Sequence, residues 1–147
     1  YHREDLIGKS SEVVWTELLH EFTNYGASVE DNMAADALSQ ATENLEIEDI
    51  ADIGNVSVDI LLKEMLKEYI KENFDFRYEE KISKGKTPAQ TSAILNDMHE
   101  YIENSIDGDL NLDNLKSVDF SNMGTSQIVE DALSDALSVF EKYYGED

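Results

Sequence analysis

Apolar positions recur at helical spacing along nearly the whole chain, and the predicted elements follow from that recurrence. Val14, Trp15, Leu18, Leu19, Phe22 and Tyr25 form one stripe, flanked by Glu12, Glu17 and Glu21, and Gly26 stops the helix that carries it. Ser28 followed by Asp31 has the form of a capping box, with aspartate in place of the usual Glu or Gln. It opens a second helix striped by Val29, Met33, Ala34, Ala37, Leu38, Ala41 and Leu45, whose alanines let a neighbour approach closely. From Leu45 to Ile53 the first half alternates like a strand, whereas Ile47, Ile50 and Ala51 fit a short helix, and the short helix is the reading adopted. Gly54-Asn55 breaks it.

Ser57 begins the clearest amphipathic segment, with Leu61, Leu62, Met65, Leu66, Tyr69, Ile70 and Phe74 facing inward. Lys63, Lys67 and Lys71 beside Glu64, Glu68 and Glu72 read as its solvated, self-neutralised outer face, each pair contributing a few tenths of a kcal/mol. Asp75 to Ser83 reads as a helical or irregular connector that buries Phe76 and Ile82, followed by a loop at Lys84-Gly85-Lys86. Thr87-Pro88-Ala89-Gln90 is a strong helix start: a cap, a proline at the first helical position, and Gln three residues after the cap. That helix carries Ile94, Leu95, Met98, Tyr101, Ile102 and Ile106 and ends near Gly108. Residues 107–124 are polar and turn-rich, with one short helix around Asp113 to Lys116. Thr125 or Ser126 caps a last helix striped by Ile128, Ala132, Leu133, Ala136, Leu137, Phe140 and Tyr144, with one of the adjacent Tyr143 and Tyr144 facing outward. The pattern predicts an all-α fold, a single compact bundle of about five helices plus short helical pieces. Residues 1–147 form one acidic helical domain in this reading.

Composition changes the picture chiefly through charge. Against 33 acidic residues stand 11 basic ones, a formal net charge of -22. Like charges on a compact domain repel and weaken the folded state, so this excess either solvates a surface or presents one to a cationic partner. It is uneven. Residues 1–50 hold 12 acids and 2 bases, residues 51–100 hold 10 and 7, and residues 101–147 hold 11 and 2. A hydrophobic content of 41% with a single proline is too rich for a disordered acidic tail. Halophilic adaptation would also give acidity, but the Lys and Ile usage argues against it. Cysteine is absent, which excludes disulfides, thiolate catalysis and cysteine zinc sites, and points to the cytoplasm. No apolar run approaches a membrane span, and a negative surface is repelled by anionic lipid. The chain starts at Tyr1 rather than methionine, so residues upstream, a signal peptide or a further domain, are expected.

Candidate chemistry is thin. Asp107-Gly-Asp109-Leu-Asn111-Leu-Asp113 alternates oxygen ligands as a calcium loop does, yet Leu112 and Val118 stand where an EF-hand needs glycine and glutamate. Glu17-Leu-Leu-His20 is half of a di-iron motif, and its only counterpart, Asn96-Asp97-Met98-His99, lacks the required carboxylate. No nucleophile elbow or phosphate loop is present, and carboxylate pairs are too numerous for any to be singled out as acid and base. Catalytic residues, metal ligands and cofactors are therefore expected to be absent, and the protein is expected not to be an enzyme.

What remains is a binding protein that occludes a basic surface on a partner, a DNA-binding protein or nuclease, without contacting nucleic acid or membrane itself. Duplex DNA carries about one negative charge per 1.7 Å of axis, so a competitor needs dense carboxylates. In charge level the chain resembles DNA-mimic inhibitors of phage and mobile elements that block defence proteins. The alternatives are an immunity protein neutralising a cognate nuclease or toxin, and a scaffold domain of a larger protein. The partner-binding residues expected are Glu12, Glu17 and Glu21; Glu43, Glu46, Glu48 and Asp49; and Glu130, Asp131 and Asp135.

Overall fold

The computed structural model describes residues 6, 8–23, 29–47, 52, 56–109, 118–120, 123 and 126–144. Among them are five α-helices: α1 (Ser11–Phe22), α2 (Val29–Asn44), α3 (Val58–Ser83), α4 (Pro88–Asp109) and α5 (Gln127–Tyr144). The all-α bundle is as the periodicity predicts. The starts of α1, α3 and α4 each have a local cause. Ser10 and Ser57 hold extended backbone and accept hydrogen bonds from the amides of Val13 and Ile60, both at 3.2 Å. Thr87 and Gln90 close a reciprocal box: the Thr87 amide donates to Gln90 Oε1 at 3.0 Å, and the Gln90 amide donates to Thr87 Oγ1 at 3.2 Å. Ser126 precedes α5, but its buried hydroxyl has no partner among the described residues, and Thr125 lies outside them, as do Ser28, Gly26 and Tyr25.

α3 is the hub. It packs against all four other helices, and α1 packs on α2 while α4 packs on α5. Side-chain bridges give the directions. Lys67 to Asp107, Lys71 to Glu103 and Asp75 to His99 run down α3 as they run up α4, so these two helices are antiparallel. Tyr101 to Asp135 and Tyr144 to Asp97 make α4 and α5 antiparallel in turn. The predicted inward residues of α3 are all buried, and Met33, Ala34, Ala37, Leu38 and Ala41 bring α2 tightly onto it.

The stretch Asp75 to Ser83, read as helical or irregular, is helical and forms the last third of α3, which runs unbroken for 26 residues. Three expectations need correction. Phe76 is 66% exposed, because an unbroken helix turns it away from the core that takes Phe74 and Ile82. Val29 is 52% exposed at the first position of α2, one turn short of where α3 covers that helix. The lysine–glutamate face of α3 is not solvated: Lys67 is 7% and Glu68 9% exposed, since a central helix has neighbours on its polar side as well. The core also recruits residues from outside the five helices: Leu6, Val118, Phe120 and Met123 are all buried. The short helices read at residues 45–53 and 113–116 lie largely outside the described residues; the described Leu45 and Glu46 form a turn.

Phe74 and Phe76 make a direct test of the register of α3. Phe74→Ala should lower unfolding free energy by about 3–5 kcal/mol, whereas Phe76→Ala should change it by no more than about 0.5 kcal/mol. Urea melts of the two variants check this, and similar losses for both would contradict the register.

Candidate functional site

The polar residues of α3 meet those of its neighbours in a seam. On the α4 side the rungs are spaced one helical turn apart. Lys67 Nζ lies 3.2 Å from Asp107 and 3.2 Å from Glu64, with Lys63 3.5 Å from the same Asp107 oxygen. Next, Lys71 Nζ lies 2.7 Å from Glu68 and 3.8 Å from Glu103. The third rung is His99 Nε2 to Asp75 Oδ1 at 2.7 Å. On the α2 side, Asn44 donates to Glu68 at 2.7 Å and to Glu64 at 3.2 Å, and Gln40 donates to Asn44 at 3.0 Å.

In the first two rungs every lysine meets two carboxylates or shares one: Lys63 and Lys67 face Glu64 and Asp107, and Lys71 faces Glu68 and Glu103. Burial pulls Lys67 down, but hydrogen bonds and charge from Asp107 and Glu64 outweigh it and hold the ammonium above the ordinary lysine value. Burial pushes Asp107 up, and the opposing pull of Lys67 and Lys63 leaves it below the ordinary aspartate value. Glu64, Glu68 and Glu103 place carboxylate oxygens within 4.8 Å of one another, a grouping able to gather a cation. Lys67 and Lys71 already bring positive charge to it.

Charge balance fails at the third level. There a cleft of about 300 Å³ opens between α2, α3 and α4, lined by Asp36, Gln40, Glu68, Lys71, Glu72, Asp75 and His99. Burial, then the charge and hydrogen bond of Asp36, then the charges of Asp75 and Glu68 push Glu72 up to about 7. Glu72 thus sits between protonated and ionised states near neutrality, sharing a hydrogen bond with Asp36. Chemically the cleft can hold a proton or accept a positive charge. Sequence reasoning missed it, because Asp36, Glu72, Asp75 and His99 come from three helices; the one available signal was the concentration of acids along α3.

The predicted partner-binding residues divide by surroundings. Glu12, Glu21, Glu43 and Glu46 are exposed, with no side-chain partner among the described residues. Glu46 also holds the left-handed conformation (φ 59) that closes α2, where the Ile47 amide donates back to the Thr42 carbonyl at 2.9 Å. Glu17 is half-buried and takes both oxygens to Lys9, at 3.1 and 2.9 Å. Glu130 is half-buried and clamped by Arg77 through two bonds of 3.0 and 3.3 Å. Asp131 and Asp135 are exposed and accept from Gln127 and Tyr101 at 2.7 and 2.6 Å. Glu48 and Asp49 lie outside the described residues. The structure does not gather these residues at one place: α1 and α2 carry one group and α5 the other, on different neighbours of α3.

The weak metal motifs do not assemble. Glu17 is spent on Lys9, His20 is exposed, and His99 faces Asp75 rather than a second metal-binding pair. Of the calcium-like loop, Asp107 is bound to lysines, Val118 is buried, and residues 110–117 lie outside the described region. No described helix is long and apolar enough to cross a membrane.

Compared with known proteins, the chain matches one family model over residues 1–140, described as QatB, Qat anti-phage system associated protein QatB. No curated protein and no solved structure matches.

The raised Glu72 pKa has a defined consequence for stability. The folded chain holds a proton there that the unfolded chain releases above the ordinary value of 4.5, and folding keeps it until about 7. Its contribution is therefore full below pH 4.5 and is lost as pH rises through 7. Relative to Glu72→Gln, which stays neutral, the native chain should lose about 1–2 kcal/mol across that window, allowing for solvent screening of a half-buried group. Urea melts at a series of pH values measure the difference, and parallel pH profiles for the two proteins would refute it.

Proposed function

Because the chain belongs to the QatB family of Qat anti-phage system associated proteins, we propose that it works in anti-phage defence as a binding protein rather than an enzyme. Its partner in this reading is a basic protein whose surface would otherwise engage nucleic acid, and the chain's carboxylates take the place of phosphates. The observation that carries the proposal is the segregation of charge. Inside the bundle, acids and lysines are paired along α3; outside it, Glu12, Glu21, Glu43 and Glu46 are exposed without side-chain partners among the described residues. Acids needed only to hold the fold would be paired like Glu64 and Glu68. A net charge of -22 also raises the rate of encounter with a basic partner.

One further point supports binding. Glu12, Glu21 and Glu43 lie on helices, where their spacing is fixed before a partner arrives. Family membership favours a partner from the same defence system, and two functional outcomes remain to be separated by assay. A DNA mimic displaces nucleic acid from the partner's binding surface, whereas an immunity-type protein silences a nuclease.

The test is to titrate a basic, DNA-binding protein of the same defence system against the immobilised chain at increasing salt. Affinity should fall steeply with salt, and duplex DNA should compete. Pairwise reversals, Glu12→Lys with Glu21→Lys or Glu43→Lys with Glu46→Lys, should each weaken binding about tenfold or more. Their helicity by circular dichroism should stay unchanged. Binding that ignores both salt and these reversals would overturn the electrostatic mechanism and favour a scaffold role. A parallel nuclease assay distinguishes mimicry from immunity.

A further inference from the structure

At the end of the bundle where α3 turns into α4 the charge pattern inverts. Lys81, Lys84 and Lys86 gather there, around a turn that Gly85 makes with a positive φ of 75°. A cleft of about 620 Å³ opens between this turn and the last turn of α5, lined by the three lysines with Phe140, Glu141 and Tyr144. Glu141 is already neutralised by Lys81 at 2.7 Å. The surplus is positive: Lys84 is exposed with no partner among the described residues, and the Lys86 ammonium sits 5.7 Å from the Phe140 ring centroid.

The aromatic wall is held in place from two sides. Tyr144 stacks on Phe140 with centroids 6.0 Å apart and planes at 20°, and its hydroxyl donates to Asp97 Oδ2 at 2.8 Å. A half-buried ring fixed in this way offers a flat surface at little entropic cost. Cations beside a fixed ring, in a cleft within the size range of small-ligand sites, match a ligand that joins phosphate to a planar base.

We propose that this cleft binds a free mononucleotide, its base against Tyr144 and its phosphates at Lys84 and Lys86. The rest of the surface selects for a small ligand. A net charge of -22 repels a long polyanion whose length would overrun the lysine turn, whereas a mononucleotide stays within about one Debye length of it. This site is separate from the carboxylates of α1 and α2, so it stands or falls independently of the acidic-surface reading.

Isothermal titration at physiological salt tests the proposal, with ATP, AMP and inorganic phosphate as probes. ATP should bind saturably, more tightly than AMP, and inorganic phosphate should bind about tenfold more weakly than ATP or less. Lys84→Glu with Lys86→Glu should weaken ATP about tenfold or more with circular dichroism unchanged. Tyr144→Leu should weaken ATP while leaving phosphate binding unaltered, a split that a purely structural role for the ring would not produce. The proposal is overturned if ATP shows no saturable binding at millimolar concentration or if the variants bind it as the native chain does. Tighter binding of a single-stranded oligonucleotide of about 20 nucleotides, or of an acidic peptide, would overturn it equally.

Discussion

α3 is enclosed by the other four helices, yet one of its faces is written in alternating lysine and glutamate. An uncompensated ion inside a bundle costs several kcal/mol, so such a helix can be central only if every charge on that face meets an opposite one. Lys67 and Lys71 meet that condition twice each, once along their own helix and once across to α4. The rungs also fix register. A slip of α4 by one turn in one direction would set Asp107 against Lys71 but leave Lys67 buried and facing no carboxylate on α4; in the other it would leave Lys71 facing His99. Apolar packing alone, with its interchangeable Leu and Ile contacts, would distinguish those registers less sharply.

The same constraint sorts the charge of the whole chain. The seam draws its lysines from α3, and most of the excess of acid is carried by the helices around it. The middle third of the sequence is nearer neutral because α3 and the turn that follows it hold all seven of its bases. The uneven acidity visible in the sequence is thus the trace of where the cations sit: on the hub and at its end, within a more acidic shell. The basic turn at Lys81–Lys86 extends the logic, since it leaves the bundle where α3 ends and its lysines no longer face acids from two sides.

How much of this was legible in the sequence depended on whether a feature was local. The caps at Ser57 and Thr87 and the apolar stripes of all five helices could be read because their causes lie within a turn or two of chain. Phe76 could not be placed correctly while Asp75 to Ser83 was divided from the preceding helix; the continuous 3.6-residue period from Val58 settles its exposure. The solvated appearance of Lys67 and Glu68 misled because pairs at spacings of three and four look alike on a surface helix and on a central one. Only the number of neighbours differs, and that is a tertiary fact. Val118, Phe120 and Met123 were hidden for a related reason, since isolated apolar residues in a polar stretch have no period to reveal that they are buried. The central cleft is less legible still, being assembled from Asp36, Glu72, Asp75 and His99 on three helices.

That cleft is also where the pairing rule is relaxed. A lysine at position 72 or 75 would have continued the ladder and removed the repulsion among Asp36, Glu72 and Asp75. Instead the chain keeps three acids together with one histidine, and the fold holds a proton on Glu72 up to about pH 7. Stability alone does not favour this arrangement, because below that pH the site is stabilised only by a borrowed proton and above it by nothing. A cation approaching from outside would relieve the same repulsion and expel the proton.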